Sequence, residues 1–409
     1  MLSKRCRCIN CITPPHVLKH LLENSDSRIR DAALRTLLAT SRLRGERAVR
    51  GLIASAAAGS AHGRRTIFNC ARRTRLPSAK VMRTEDGPAS ADESANRAFA
   101  GLGETRDFYK DVFERDSLDG RGMRLNGYVH YSAGYNNAFW DGSHMVFGDG
   151  DGVLFTDFTK SLDVIAHELT HGVTEFTAGL EYHNQPGALN ESMSDVFGSL
   201  VKQWAQKQKA DEADWLIGAE VFTPAIGADA LRSMKAPGTA YNNPTLGPDP
   251  QPDHMSKYEV LPDNDDGDNG GVHINSGIPN KAFYLTAVSI GGFAWEAPGH
   301  IWYAALQAST ATTEFQQFAD LTYLKAGQLY GPQSAEQRAV LAAWKEVGIH
   351  ISGAKTLAGT VSRIPAQPAA IAANGRDDDA ARVVRKIEEL SSQLSKLTKE
   401  VASLKSKPH

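Results

Sequence analysis

Hydrophobic positions along the chain change their period several times, and each change marks a boundary. Over residues 14–45, PPHVLKHLLEN is followed by RIRDAALRTLLATSRLRG, in which Ile29, Ala33 and Leu37 fall at helical spacing and Gly45 is the expected stop. GERAVRGLIASAAAGSAHG is rich in small residues and reads as an exposed linker. From about 64 to 160, short alternating stretches such as RLNGYVHYS, punctuated by Gly, Asn and Asp, predict strands. From about 163 to 351 the period lengthens to that of helices, in DVIAHELTHGVTEF, ALNESMSDVFGSLVKQW, INSGIPNKAFYLTAVSI, HIWYAALQAS and SAEQRAVLAAWKEVG. A Pro/Ala/Gly-rich stretch then leads into RVVRKIEELSSQLSKLTKEVASLKSK. There Val383, Ile387, Leu390, Leu394, Leu397, Val401 and Leu404 alternate steps of four and three, the seam of a coiled coil. The expected organisation is an α+β fold: a helical segment over 1–50, a linker over 51–63, a β-rich lobe over 64–160, a helical lobe over 161–351, a flexible linker over 352–380 and a coiled coil over 381–407.

The 409 residues, 41% hydrophobic and 22% charged, suit a soluble globular protein of two domains plus extensions. No apolar run approaches the roughly 20 residues of a membrane helix. The net charge of −2 conceals an asymmetry: residues 1–83 hold 18 Lys/Arg against 4 Asp/Glu, leaving 27 against 43 for the rest. A basic front end can bind nucleic acid, but the chain's own acidic body is the nearer partner, so association of the two is the expectation. Cys6, Cys8 and Cys11 crowd the start, with Cys70 apart; that pattern gives no disulfide framework and fits no common zinc spacing, and a reduced tail is expected. Pro14 and Pro15 interrupt the basic N-terminus and no apolar core follows, so no cleavable secretory signal is visible.

The chemistry concentrates in DVIAHELTHGVTEFTAGLEYHNQPGALNESMSD. His167 and His171 lie four apart, on one face of a helix, and two imidazoles so placed can clamp a divalent cation. Glu168 is offset enough to avoid ligation while staying beside the metal as a base. A catalytic zinc takes three protein ligands and a water, and Glu191 supplies the third if the next helix folds back across the Gly- and Pro-containing turn. Asp195, four residues on, can accept the second ring N–H of a ligating histidine.

With these blocks in view, the sequence from about 64 to 351 resembles the thermolysin-like zinc endopeptidases. GYVHYSAGYNNAFWDGSHMVFGDGDG resembles the family's substrate-binding edge strand, WLIGAEVFTPAIGADALRSM the region of its substrate-binding arginine, and DNGGVHINSGIPNKAFYL the segment of its second catalytic histidine. The front segment, with its Pro-Pro motif, is similar to the short pro-segment of the protealysin-like branch.

The resemblance implies a two-lobed enzyme with zinc in the cleft, hydrolysing peptide bonds before hydrophobic residues by means of a zinc-activated water. It implies His167, His171 and Glu191 as ligands, with Asp195 and Asn190 supporting them, and Glu168 as base. Tyr182 and His273 become oxyanion donors, His273 sustained by Asp268. Asn137 and Ala138 bind substrate backbone, Arg232 bonds the carbonyl after the scissile bond, and Phe155, Phe158, Val164, Ile217, Val221 and Leu231 match an apolar pocket.

Many relatives carry a paired calcium site beside the zinc helices. Here Asp163 and Asp214 remain, but Lys202, Leu216 and Ala219 occupy the other positions. An ammonium among carboxylates repels Ca2+, so the double site is expected to be absent, with Lys202 as counter-charge. Thr223 and Asp229 match a separate single Ca2+ site. The expected partners are protein or peptide substrates, the pro-segment as inhibitor, and a second copy through the coiled coil, with no nucleic acid and no membrane span. The resemblance implies secretion, by a leaderless route given the missing signal, with cytoplasmic retention as the alternative. The expected processing site lies ahead of Leu52 or Ile53.

Overall fold

The computed structural model describes residues 10–50, 63–74, 76 and 80–352. The expected processing site, Cys6, Cys8 and the expected coiled coil lie outside the described residues. The chain divides into two units, Met1–Lys355 and Thr356–His409, and the described residues all belong to the first.

The alternating stretches form a six-stranded sheet of β1 (Asn10–Cys11), β2 (Arg65–Asn69), β3 (Lys80–Thr84), β4 (Leu125–Val129), β5 (Ala138–Trp140) and β6 (His144–Phe147). The order is β1-β5-β6-β4-β2-β3, with β2/β4 and β4/β6 parallel and the other pairs antiparallel. β5 would be an edge strand of this sheet but for β1, two residues of the front segment.

One long helix of this lobe was not expected from the sequence. After α1 (Pro15–Leu21) and α2 (Ser27–Arg50), α3 spans Glu93–Phe113 and begins at Asp92, whose carboxylate accepts from the Ala95 N–H. Its buried Ala95, Ala98, Phe99 and Leu102 recur at helical spacing. α2 also departs from expectation, continuing through Gly45 to Arg50. A lone glycine costs about 1 kcal/mol in a helix, too little to end one flanked by good helix formers.

α4 (Leu162–Glu175) carries the histidine pair and is buried along nearly its whole length. α5 (Asn184–Gln206) folds back along it. Pro186 and Gly187 turn out to lie in the first turn of α5 rather than in the connection, which suits a proline whose N–H would be unpaired there in any case. The two helices approach closely at Gly198, where a Cβ would meet the Asp163 carbonyl oxygen at 2.7 Å. α6 (Asp268–Asn275), α7 (Gly277–Ile290), α8 (Ala297–Ala308), α9 (Phe315–Tyr330) and α10 (Ala335–Glu346) complete the helical lobe. α9, also unexpected from the sequence, opens on a capping box between Glu314 and Gln317. A contiguous apolar core runs from Ile12 and Ile67 through α4 and α5 to Trp302 and Trp344, so both lobes brace the helix pair that carries the site.

Candidate active site

Helix periodicity turns His167 and His171 toward α5, where Glu191 faces them. The two Nε2 atoms are 3.0 Å apart, and the Glu191 oxygens lie 3.4 Å from one and 3.5 Å from the other. Each ring is oriented from behind. His167 Nδ1 donates to Asp195 Oδ1 at 2.8 Å, and His171 Nδ1 donates to Asn190 Oδ1 at 2.8 Å. The Asn190 amide is itself fixed by its N–H bond to the Leu180 carbonyl.

With the Nδ1 protons so engaged, the two Nε2 atoms and a carboxylate face one point, and a cation there would be met by two lone pairs and a negative charge once both rings are neutral. Burial, only partly opposed by Glu191, takes His171 down to about 3, so that ring is neutral. Against the effect of burial, Asp195 and Glu191 lift His167 to about 9; the carboxylates here demand positive charge. Ligands about 2.0–2.1 Å from a tetrahedral zinc stand about 3.3–3.4 Å apart, close to the spacings observed. The residues therefore fit the metal. Among the described residues they are the one group of three or more His, Cys, Asp or Glu side chains whose ligand atoms converge in this way.

Glu168 Oε2 accepts from the Trp140 backbone N–H at 2.9 Å, while its Oε1 is buried without a partner. Burial is the main cause that pushes this carboxyl up to about 8. The Tyr182 hydroxyl donates to Glu191 and lies 3.2 Å from His273 Nε2. His273 Nδ1 donates to Asp268 Oδ1 at 2.6 Å, and its backbone N–H bonds the other oxygen of the same carboxylate. Burial opposes charge on this ring, but Asp268 and Glu191 hold it above the ordinary histidine range. The loop that makes this possible runs left-handed through Asp268, Asn269, Gly270 and Gly271. Asp, Asn and Gly are the residues that tolerate such a run, and a Cβ at Gly270 would meet Asn184 Oδ1 at 2.2 Å.

Arg232 forms a bidentate pair with Asp195, both distances 2.8 Å, so one carboxylate orients a metal-site histidine and the guanidinium. Asn280 donates to that carboxylate too, at 2.8 Å. Asn137 directly precedes β5 and Ala138 is its first residue, and Phe155, Phe158, Val164, Ile217, Val221 and Leu231 are all buried in the main apolar core. Thr223 donates to the Val153 carbonyl at 2.6 Å and Asp229 is exposed; both lie apart from the His-Glu cluster. Sequence reasoning missed the Trp140 N–H and Asn280. A backbone donor leaves no trace in residue type, and Asn280 carries only a seven-residue spacing from His273.

The front segment covers this site. β1 adds to β5 with Asn10 opposite Trp140 and Cys11 opposite Phe139. The Ile12 N–H bonds the Ala138 carbonyl at 3.3 Å, and Thr13 N–H bonds Asn137 Oδ1 at 2.9 Å. Ile12, Val17, Leu18 and Leu21 are buried beneath it, and Lys19 pairs with Asp266 at the rim.

Fold and site together define a metallopeptidase: residues 61–175 match the thermolysin metallopeptidase catalytic domain and residues 178–349 its alpha-helical domain, and the chain belongs to that family. It is 45% identical over 350 residues to an extracellular metalloprotease of Pectobacterium carotovorum subsp. carotovorum, spanning 85% of this chain and 98% of that one. It is 44% identical over 270 residues to thermolysin of Alicyclobacillus acidocaldarius subsp. acidocaldarius, spanning 64% of this chain and 46% of that one. Among solved structures it is similar to the precursor of protealysin, a metalloproteinase from Serratia proteamaculans, with TM-score 0.75 and 45% identity over 83% of this chain and 99% of that one. The protein is thus a thermolysin-like metallopeptidase of protealysin-like type.

Proposed function

We propose that the chain is a zinc-dependent endopeptidase that cleaves before hydrophobic residues and is made as a self-processed zymogen inhibited by its pro-segment, residues 1–50. The observation that carries this reading is the convergence of His167 Nε2, His171 Nε2 and Glu191 beside the unpartnered Glu168 Oε1. Held by those three side chains, zinc supplies polarisation of a carbonyl and a water acidified toward neutrality.

The remaining roles belong to the chain's own residues. Glu168 is anchored through Oε2, so Oε1 is free to take a proton from water and pass it to the leaving amine. Tyr182 and His273 donate toward the developing oxyanion, with Asp268 sustaining the charge on His273. Asn137, Ala138 and Arg232 hold the substrate backbone as an added strand. Phe155, Phe158, Val164 and Leu231 receive the amine-side residue, which accounts for the preference before hydrophobic side chains. Asp195 and Asn190 fix the ligand tautomers. Supporting the zymogen reading are the front segment's contacts with the site: Arg232 on the Ile12 carbonyl, His273 beside the Cys11 carbonyl oxygen, and Asn137 on the Thr13 N–H.

We extend the proposal to one Ca2+ at Thr223 and Asp229, to the lobe and linker boundaries given above, and to secretion. Zinc analysis and peptide hydrolysis test it together. The reading expects about one zinc per chain, loss of hydrolysis on chelation with recovery on zinc addition, and cleavage of a peptide series before Leu, Ile or Phe. Metal-free activity, or cleavage after rather than before the apolar residue, contradicts it.

A further inference from the structure

The front segment does more than cover the site, because its backbone lies in the register of a substrate. Arg232 Nη1 donates to the Ile12 carbonyl at 3.0 Å. His273 Nε2 lies 3.0 Å from the Cys11 carbonyl oxygen. Asn137 brackets the next residue, accepting from the Thr13 N–H at 2.9 Å and facing the Thr13 carbonyl at 3.5 Å. The chain runs antiparallel to β5 with the Ile12 side chain fully buried in the apolar cluster that contains Phe155, Val164 and Leu231. In the roles argued above, Cys11 is then the residue before the scissile bond and Ile12 the residue after it.

We infer that the pro-segment is a substrate of its own peptidase, cut in place between Cys11 and Ile12; this rests on the function proposed above and names one substrate of that site. The C–N bond of Cys11–Ile12 breaks. The water oxygen joins the Cys11 carbonyl carbon as a carboxylate, and the Ile12 nitrogen leaves as an amine carrying the proton. The two sides of the cut are held unequally. Ile12 onward stays seated by the buried Val17, Leu18, Leu21, Ile29 and Ala33, by His16 on the Tyr241 hydroxyl and by Thr40 on Tyr135. Among the described residues, the fragment ending at Cys11 is held by the two-residue β1 pairing, by burial of Cys11 in the cluster with Ala39, Leu43 and Cys70, and by the Cys11 carbonyl facing His273. The clipped zymogen therefore keeps its amine-side subsites filled, and this cut precedes activation rather than causing it.

The test uses the full chain with zinc as wild type, Glu168→Gln and Ile12→Asp, followed by intact mass, N-terminal sequencing, casein hydrolysis and amide hydrogen exchange. The expected result is a new N-terminus beginning Ile-Thr-Pro-Pro-His in the wild type, at a per-molecule rate unchanged by dilution and before casein hydrolysis rises. Glu168→Gln gives no such cut, yet protects the Ile12 and Thr13 amides from exchange. Ile12→Asp slows the cut by roughly tenfold or more, because a carboxylate enters an apolar pocket. Casein hydrolysis that develops while Cys11–Ile12 stays intact overturns the inference and leaves the peptidase reading standing. A cut that appears only in proportion to concentration, or unprotected Ile12 and Thr13 amides in Glu168→Gln, also overturns it. Absence of both self-cleavage and casein hydrolysis defeats the peptidase reading itself, and this inference with it.

Discussion

Asp195 and Arg232, 37 residues apart, meet as a fully buried bidentate pair whose carboxylate also holds His167. The proposed metal site and the proposed substrate-binding arginine therefore share one anchor. Arg232→Ala leaves Asp195 buried without its cation, a loss of about 3–5 kcal/mol for a broken buried pair. The expected outcome is a lowered denaturant midpoint together with a lower zinc affinity, read by unfolding and by metal competition. Destabilisation without any change in zinc affinity would show that the shared carboxylate does not couple the two sites.

His130 sets a pH dependence away from the metal site. Its Nδ1 donates to Asp149 at 2.7 Å and its Nε2 to Asp92 at 2.9 Å, while Arg72 lies 3.8 Å from Asp149. The Asp149 hydrogen bond is the leading cause that raises His130 to about 9. A histidine raised on folding stabilises the fold fully below its unfolded value near 6.5 and loses that contribution as pH climbs through 9. After allowance for solvent screening, the contribution is about 1–2 kcal/mol. His130→Gln should lower the melting temperature at pH 6 and make little difference at pH 9.5; an equal deficit at both would rule out the charged pair.

By the resemblance read in the sequence, Lys202 occupies a position where a paired calcium site would need oxygen. Its Nζ lies 3.3 Å from Asp163 Oδ2 and 2.9 Å from Asp214 Oδ2. Calcium-selective chelation with zinc retained should therefore move the melting temperature by only a few degrees, through the single candidate site at Thr223 and Asp229. Lys202→Ala should cost about 3–5 kcal/mol, because Asp163 is fully buried and loses its cation. A melting shift above about 15 °C on chelation would show that calcium occupies this region after all.

The tail carries a prediction from sequence alone. Ile387, Leu394 and Val401 fall at a positions with leucine at most d positions; the β-branched pair favours a parallel dimer, Leu394 weakens that preference, and three heptads make the association modest. Sedimentation of Glu168→Gln, intact and truncated after Ser352, should give a concentration-dependent oligomer that truncation abolishes. Identical monomer masses at tens of micromolar would end that idea.

What could be read in the sequence was local. His167, Glu168, His171, Glu191 and Asp195 follow helical spacing on two adjacent helices, so period and residue type were enough. Asp195 reaching Arg232, Trp140 offering its N–H to Glu168, and Asn280 joining the same carboxylate depend on contacts across the chain that no window contains. α3 went unread because strand-like stretches surround it. β1 has two residues and exists as a strand only through β5, so its pairing is a property of the assembled fold. The basic front and acidic body pointed to their association, but charge alone could not give the strand register that seats Ile12.

The most direct measurement is peptide hydrolysis by Glu168→Gln matured in trans by wild-type enzyme that is then removed, with its zinc content determined on the same sample. Glu168 touches the Trp140 N–H through Oε2 and is not one of the three converging side chains, so the substitution removes the proposed base and spares the proposed metal site. The account predicts near-stoichiometric zinc, an unchanged fold and a loss of roughly 10²–10⁴-fold in kcat. Turnover near that of the wild type, with zinc bound, would contradict it.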